Sequence, residues 1–105
     1  MNTSIIILSC NTKEYTQRCI QSIRTYTEPG TYEIIVVENG SRDGSVNWLL
    51  AQPDIRMIAN DENVGFPKGC NQGMRIAGGT EMLLLNSDVI VTPRWLEQLK
   101  LGLYR

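Results

Sequence analysis

The sequence predicts an α/β fold, a Rossmann-like parallel sheet of about four strands with flanking helices. Short apolar runs alternate four times with segments whose apolar residues recur at helical spacing. Each apolar run ends in a cluster of polar side chains, and glycine or proline residues separate many of the segments. This β-α-β-α-β-α-β-α order favours parallel strands joined by right-handed crossovers.

The first half of the chain predicts two strands and two helices. Residues 4–9 form a β-branched apolar run, which indicates the first strand, and residues 14–27 indicate a helix. The apolar residues at helical spacing in that helix are Tyr15, Cys19, Ile23 and Tyr26. The turn at residues 28–30 ends the helix before the second strand, residues 33–38. A short helix over residues 44–52 follows, and its apolar face carries Val46, Leu49 and Leu50.

The second half repeats the alternation. Residues 55–59 predict a third strand, and residues 81–85 a fourth that we expect to be buried on both faces because its apolar residues are consecutive. Between them, Pro67 marks a helix start and the glycines at 78–79 mark its end. The apolar positions of that helix are Cys70, Met74, Ile76 and Ala77. Pro93 opens a last amphipathic helix, which carries Trp95, Leu96, Leu99 and Leu103.

Composition predicts one domain over residues 1–105. A chain of 105 residues, 42% of them hydrophobic, can bury one modest core. The formal charge of −1, without a long run of either sign, argues against a nucleic-acid partner. Three cysteines fit no zinc or disulfide spacing, which favours reduced thiols and a cytoplasmic protein. No secretory signal and no run of membrane-spanning length is evident.

Polar side chains follow all four predicted strands, at residues 9–11, 38–41, 60–63 and 86–88. The carboxyl ends of parallel strands meet at one edge of a sheet, and ligands bind in the crevice there. Each cluster alone also fits a loop that solvates a chain reversal. Together they predict a single binding crevice.

Two carboxylates at these strand ends suggest specific chemistry. Asp88 can hold a hard cation such as Mg²⁺ or Mn²⁺, which would in turn hold phosphate, although Asn86, Ser87 and Asp88 also fit an ordinary turn. Glu38 is expected at the lip of the crevice, where it can accept hydrogen bonds from a ribose hydroxyl or a nucleobase N–H. The alternative for Glu38 is a solvated residue or an acid at the end of a helix.

The following loops combine structural and binding patterns. Asp43 or Ser45 is expected to cap the next helix, with Gly40 and Gly44 shaping the turn. The segment 63–71 joins a flexible loop to a helix start, where free N–H groups and Lys68 suit a diphosphate. Lys68 also fits an ordinary surface lysine.

Several familiar chemistries are absent from the sequence. Neither the GxGxxG dinucleotide fingerprint nor the GxxxxGK[ST] phosphate loop occurs. The chain contains no histidine, which removes the usual Ser-His-Asp and Cys-His arrangements.

The motifs in their order resemble the family 2 glycosyltransferases with the GT-A fold. The resemblance rests on residues 4–11, 33–45, 63–66 and 84–88, together with Asn71 and Gly73, and so covers nearly the whole chain. It implies a nucleotide-diphosphate sugar donor, a divalent metal, and inverting transfer of the sugar to an acceptor hydroxyl. It places the metal at Asp88, the acid of a DxD-like motif. The implied nucleotide-sugar-binding residues are Ser9, Cys10, Asn11, Glu38, Asn63, Gly65, Lys68, Asn71, Asn86 and Ser87.

Three positions depart from the family pattern. Glu38 stands where the family usually has Asp, Cys10 where an aromatic residue is common, and Asn86 where the first acid of DxD is typical. The Asn-x-Asp variant resembles rhamnosyltransferase-like members of the family.

Family members continue past the DxD strand into an acceptor-binding half that carries the general base. We therefore expect an incomplete domain, the nucleotide-binding half of a GT-A fold, that is inactive by itself. In the full enzyme the acceptor is expected to be a glycan or a lipid-linked acceptor, and the location to be cytoplasmic or at the cytoplasmic membrane face. Apolar surface left uncovered would favour a homo-oligomer.

Three other classes of protein share parts of this pattern. A non-catalytic nucleotide or nucleotide-sugar binding module would use the same crevice. A sugar nucleotidyltransferase would carry a glycine-rich, basic loop after its first strand, and residues 11–14 do not form one. A plain α/β interaction domain predicts no metal-dependent nucleotide binding.

Overall fold

Strands and helices alternate along the whole described chain. A computed structural model describes residues 2–103, and the side chains of residues 2–99. The elements are β1 Thr3–Ser9, α1 Lys13–Tyr26, β2 Tyr32–Asn39, α2 Ser45–Leu50, β3 Ile55–Asn60, α3 Phe66–Ile76, β4 Glu81–Asn86 and α4 Trp95–Leu103. The predicted alternation is confirmed, and Pro67 lies in the first turn of α3 as expected. The side chain of Leu103 lies outside the described part.

The strands form one parallel sheet in the order β3-β2-β1-β4. This confirms the Rossmann-like sheet of four strands with flanking helices. On one face, Ile5 and Val36 join the core cluster that contains Ile20 and Ile23 of α1. On the other face, a smaller cluster around Ile35 packs against residues of α3 and the turn that follows it. The two central strands are therefore covered on both faces.

Of the residues predicted at helical spacing in α1, Cys19 and Ile23 are buried, but the two tyrosines are not. Tyr15 and Tyr26 are 56% and 42% exposed. The buried side chains of α1 are Thr16, Cys19, Ile20, Ser22 and Ile23. These residues lie on one side of the helix, so apolar side chains about one turn apart pack against the sheet. The tyrosine side chains lie outside this buried side, with their hydroxyls in water. In α2, likewise, Leu49 is buried but Leu50 is exposed.

The expectation that β4 is buried on both faces is wrong. β4 lies at the edge of the sheet, and Met82 and Leu84 on one of its faces are 52% and 43% exposed. The reason is the strand order together with the path of α3, which packs on β1 and β2. Consecutive apolar residues do not reveal which strand of a sheet is outermost.

Two glycines let α3 lie very close to the sheet. A Cβ at Gly73 would lie 2.6 Å from Ile6 Cγ2, and one at Gly69 would lie 2.9 Å from Leu8 Cδ2. The buried face of α3 consists of these glycines and Cys70. The close approach fixes the start of α3 beside the carboxyl ends of the strands.

At the amino-terminal ends of the strands, the carboxylate of Glu33 joins three segments. It accepts hydrogen bonds from Ser4 Oγ at 2.6 Å, from the Gly78 amide at 2.7 Å and from Arg56 Nη1 at 3.1 Å. Arg56 also donates to the Ile76 carbonyl at 2.6 Å. These bonds attach the turn between α3 and β4 to the central strands. Among the described residues, no helix is long and apolar enough to span a bilayer.

Candidate functional site

A groove opens between the carboxyl ends of β1 and β4. The chain runs outward from β1 through β2 to β3, whereas β4 pairs on the other side of β1. This is the reversal of strand order at which open α/β sheets bind their ligands. The groove has a volume of about 620 Å³, and the polar and aromatic side chains in its lining are Thr12, Tyr15, Phe66, Asn86, Ser87 and Asp88.

Hydroxyl groups connect the two strand ends that flank the groove. Ser9 is buried, and its Oγ lies 3.0 Å from Thr16 Oγ1 and 3.3 Å from Thr12 Oγ1. Thr12 Oγ1 donates to Ser87 Oγ at 3.2 Å. The predicted site residues Ser9 and Ser87 are thus joined through Thr12, and Ser9 itself is covered from solvent. Its hydroxyl orders the groove floor.

Asn86, Ser87 and Asp88 follow β4 directly. Asn86 and Asp88 are exposed and Ser87 is half-buried. The Val89 amide donates to the Asn86 carbonyl at 3.2 Å, so the segment is a turn whose side chains also line the groove. The two interpretations of this segment, turn and binding site, are therefore compatible.

The thiol of Cys19 lies beneath this turn. Its Sγ is 3.9 Å from the Asn86 carbonyl oxygen, and the residue is fully buried. Burial raises the pKa of Cys19 to about 11, and the negative charge of Asp88 adds to the rise. The thiol is therefore protonated at neutral pH and serves as a packing residue.

Asp88 is the carboxylate in this groove that fits a metal. Within the described residues, no group of three or more His, Cys, Asp or Glu side chains could hold an ion by protein ligands alone. Mg²⁺ is commonly held by one or two carboxylates together with substrate phosphates and water. A single exposed acid at the end of β4 fits that second kind of site, in which the nucleotide supplies the other ligands.

We expected Glu38 at the lip of the crevice, and this expectation is wrong. Glu38 is fully buried. Its Oε1 accepts the Ser41 amide at 2.6 Å, and its Oε2 is buried without a hydrogen-bond partner among the residues that the structure describes. The physical reason is the tight turn after β2, with Gly40 at φ 71°, which folds the next residues back over the carboxylate. The extra methylene of Glu relative to Asp lengthens the reach toward that turn.

Asn11 joins the loop after β1 to the loop after β2. The backbone N–H of Asn11 donates to Ser41 Oγ at 2.7 Å, and the side-chain Oδ1 of Asn11 accepts a hydrogen bond from the backbone N–H of Arg42 at 2.8 Å. Asn11 has a φ of 54°, in the left-handed region that Asn tolerates better than most residues. Cys10, next to it, is half-buried.

Asp43 adds a further link, although the N-cap residue of α2 is Gly44 and not Asp43 or Ser45, as we had expected. Its carboxylate accepts the amide and hydroxyl of Ser45 at the start of α2 and the Lys13 amide at the start of α1, the last at 2.9 Å. Burial alone would raise the pKa of Asp43, but these hydrogen bonds outweigh it and lower the pKa. Asp43 therefore stays ionised and orders two helix starts.

The segment before α3 also forms the expected turn. Asn63 Oδ1 accepts the Gly65 amide at 2.8 Å, and Gly65 has a φ of 87°. Lys68 and Asn71 are exposed on the outward side of α3 and are not among the residues that line the groove. Phe66, at the helix start, does line it.

The polar and aromatic lining residues that the sequence interpretation missed are Thr12, Tyr15 and Phe66. Tyr15 was named only as one of the residues at helical spacing in α1, together with Cys19. The usable signal was the second possible stripe of α1, Thr16-Cys19-Ile20-Ile23, which leaves Tyr15 exposed at the helix start. Nothing local distinguishes Thr12 or Phe66 from ordinary loop residues.

Comparisons with known proteins agree with this geometry. Over 100 residues the chain is 30% identical to the glycosyltransferase AglE of Haloferax volcanii. The aligned region covers 90% of this chain and 33% of AglE. Over 99 residues it is 31% identical to the putative glycosyltransferase EpsH of Bacillus subtilis, covering 91% of this chain and 28% of EpsH. The chain thus spans a third or less of the length of these relatives.

Solved structures share the fold. The S. aureus TarS 1-349 crystal structure superposes with a TM-score of 0.81 at 24% identity, over 96% of this chain and 32% of that one. The mannosyltransferase PcManGT of Pyrobaculum calidifontis, in complex with GDP-Man and Mn²⁺, superposes with a TM-score of 0.78 at 21% identity. The superposition covers 89% of this chain and 29% of that one. The four-stranded sheet is the nucleotide-binding half of a GT-A fold.

The profile of the family described as Glycosyl transferase family 2 matches residues 4–102, nearly the whole chain. The groove between β1 and β4, the order of the motifs and the shared fold are all consistent with that match. The chain therefore belongs to glycosyl transferase family 2.

Proposed function

We propose that this chain binds a nucleotide-diphosphate sugar in the groove between β1 and β4, as the donor-binding part of a glycosyltransferase. The observation that carries the proposal is the position of Asp88 in a groove of about 620 Å³ at the reversal of strand order. Related folds support it, because TarS has been solved in complex with UDP-GlcNAc and PcManGT with GDP-Man.

In this proposal Asp88 holds a divalent metal, Mg²⁺ or Mn²⁺, whose charge offsets that of the departing diphosphate. Asn86 and Ser87 offer an amide and a hydroxyl to the donor beside it. Tyr15 and Phe66 both line the groove with exposed rings, which suits a sugar or a base. The proposed reaction is inverting transfer to a hydroxyl of a glycan or lipid-linked acceptor, and we assign no general base to the residues of this chain.

Location and assembly are further proposals. The described cysteines are all free thiols, which supports a reducing, cytoplasmic environment, at the membrane face in a full-length enzyme with a lipid-linked acceptor. The exposed apolar side chain of Met82 on the outer strand β4 supports self-association.

Calorimetric titration of UDP, GDP and dTDP, each with and without Mn²⁺, tests the donor site. We expect Mn²⁺ to strengthen binding of at least one nucleotide by tenfold or more, which is about 1.4 kcal/mol. Asp88→Ala should abolish that gain, because it removes the carboxylate that would share the ion with the diphosphate.

Asp61→Ala is the matched control. Asp61 is also an exposed acid after a strand, but it follows β3 and is not among the lining residues of the groove. This variant should keep the full effect of Mn²⁺. If no nucleotide binds, or if binding ignores both Mn²⁺ and Asp88, the donor site is refuted.

A non-catalytic nucleotide-binding module would use the same groove, and the lack of an assigned general base favours it for the 105-residue chain alone. Measuring hydrolysis and transfer of the sugar nucleotide that binds separates the two functions. We expect binding without appreciable turnover by this chain. Turnover would instead show that its own residues complete the catalytic site.

A further inference from the structure

We propose that Glu38 is a positioning residue, which holds the loops after β1 and β2 together through Ser41 and does not touch the nucleotide. The inference rests on the proposed function, because it concerns how the nucleoside end of the donor site is shaped. It assigns a role to Glu38 that differs from direct contact with a base or ribose.

The first step is the burial of the carboxylate. Glu38 pairs with Ser9 of β1 and Ala59 of β3 across the sheet, and its own exposure is 0%. Its Oε1 accepts a hydrogen bond from the backbone N–H of Ser41 at 2.6 Å. A ligand could reach this carboxylate only after the turn over it had been lifted away.

The second step is the set of bonds that continues from Ser41. The Ser41 hydroxyl accepts the Asn11 amide at 2.7 Å, and the Asn11 side chain accepts the Arg42 amide at 2.8 Å. We call Glu38, Ser41, Asn11 and Arg42 the loop latch. Each of its bonds either closes the β2 loop on itself or joins it to the β1 loop, so the two loops move as one unit.

The third step is the left-handed backbone of Asn11, which the latch holds in place. Asn11 adopts a φ of 54°, an uncommon conformation for a residue with a side chain, whereas the φ of 71° at Gly40 is one that glycine adopts without strain. A Cβ at Gly40 would lie 2.8 Å from Glu62 Cα, so the β2 turn also abuts the loop after β3. Conformations of this kind persist where surrounding bonds hold them.

The position of the remaining oxygen, Oε2 of Glu38, argues against direct contact with a ligand. It is buried with no partner among the described residues and does not face a groove. None of the described grooves includes Glu38 in its lining. The carboxylate therefore faces the interior of the fold, and the exposed groups that the latch presents belong to Asn11 and Arg42.

Amide hydrogen exchange tests the latch without any ligand. In the wild-type chain the amides of Asn11, Ser41 and Arg42 should exchange slowly. Ser41→Ala should accelerate exchange at Asn11 at least tenfold while the Ser41-position amide, still bonded to Glu38, stays protected. Glu38→Gln keeps an acceptor oxygen and should preserve protection, whereas Glu38→Ala should lose it at both loops. Unchanged exchange at Asn11 in Ser41→Ala would overturn the latch.

A comparison of UDP with CDP tests the absence of direct contact. Uracil offers an N–H donor at N3, whereas cytosine offers an acceptor there, so a carboxylate touching that edge discriminates between them. Glu38→Gln should change both affinities by the same factor, leaving their ratio within about twofold of the wild type. A tenfold change in the ratio would show that Glu38 reads the base.

These readouts separate the two proposals. If the wild-type protein binds none of UDP, GDP, dTDP and CDP, the proposed function fails, while the exchange data still decide whether the latch exists. If nucleotides bind but the UDP-to-CDP ratio follows the Glu38 side chain, the donor site stands and the positioning role is wrong.

Discussion

Gly73→Val should lower the free energy of unfolding by about 3 kcal/mol, the upper part of the range for overpacked cores. The cause is the close approach of α3 to the sheet. A Cβ at Gly73 already lies 2.6 Å from Ile6 Cγ2 and 3.4 Å from Val37 Cγ2, and Ile6 and Val37 are fully buried. Valine adds two further methyl groups to this contact, so the helix must move outward. Urea unfolding followed by circular dichroism measures the loss.

Asn71→Val is the control for Gly73→Val. Asn71 lies on the exposed side of the same helix, and Asn and Val have similar helix propensities. This variant should change stability by less than about 0.5 kcal/mol. Gly73→Ala should fall between the two, because alanine adds one methyl group but favours the helix. Equal stabilities for the two valine variants would show that α3 does not pack as tightly as described.

Glu33→Ala should cost about 2 kcal/mol of stability, because it leaves several donors without their acceptor. The hydroxyl of the fully buried Ser4 and the Gly78 amide lose the acceptor of their hydrogen bonds. Arg56 loses one of its two acceptors and keeps the Ile76 carbonyl. Asp54→Asn is a suitable comparison, since the Arg24–Asp54 pair is partly exposed at 30% and 49%. Exposed pairs contribute about 0–1 kcal/mol, so this variant should be much milder.

The same carboxylate predicts a pH dependence. Burial alone would raise the pKa of Glu33, but hydrogen bonds from Ser4, Gly78 and Arg56 outweigh it and lower the pKa. Because the folded pKa is depressed, the unfolded chain binds the proton first, and the stabilisation present at neutral pH is lost as the pH falls through the folded pKa.

Glu33→Gln cannot titrate at this position. Its stability should therefore fall less steeply than that of the wild type below about pH 4.5, the ordinary carboxyl value. Thermal melts between about pH 3 and pH 7 compare the two slopes. Asp43 and Asp54, whose pKa values are also lowered, remain in both proteins and cancel from the comparison. Parallel slopes would contradict the role given to Glu33.

The order and type of the elements were predictable because they depend on short-range patterns. The β-branched run ending at Ser9 predicts β1, and Pro67 predicts the start of α3. The polar clusters after the strands predicted one crevice, since parallel strands bring their carboxyl ends together. Asn86, Ser87 and Asp88 do line the groove there.

Burial was less predictable because it depends on contacts between distant segments. The burial of the Leu84 side chain depends on the strand order and on the path of α3. Neither can be predicted from the amino acids at residues 81–86 alone. Glu38 looked exposed because it follows an apolar run, yet the turn after Gly40 folds over it. The departure of Glu38 from the family's usual Asp was the signal that its role could differ.

The position of β4 at the side of the sheet also affects how the domain behaves in concentrated solution. Its neighbour in the sheet is β1, and the apolar side chain of Met82 is 52% exposed. A formal charge of −1 supplies almost no long-range repulsion to keep molecules apart. We therefore expect Met82 to limit the solubility of the domain, and a charged residue introduced there should keep the protein dispersed, because Met82 does not line the groove.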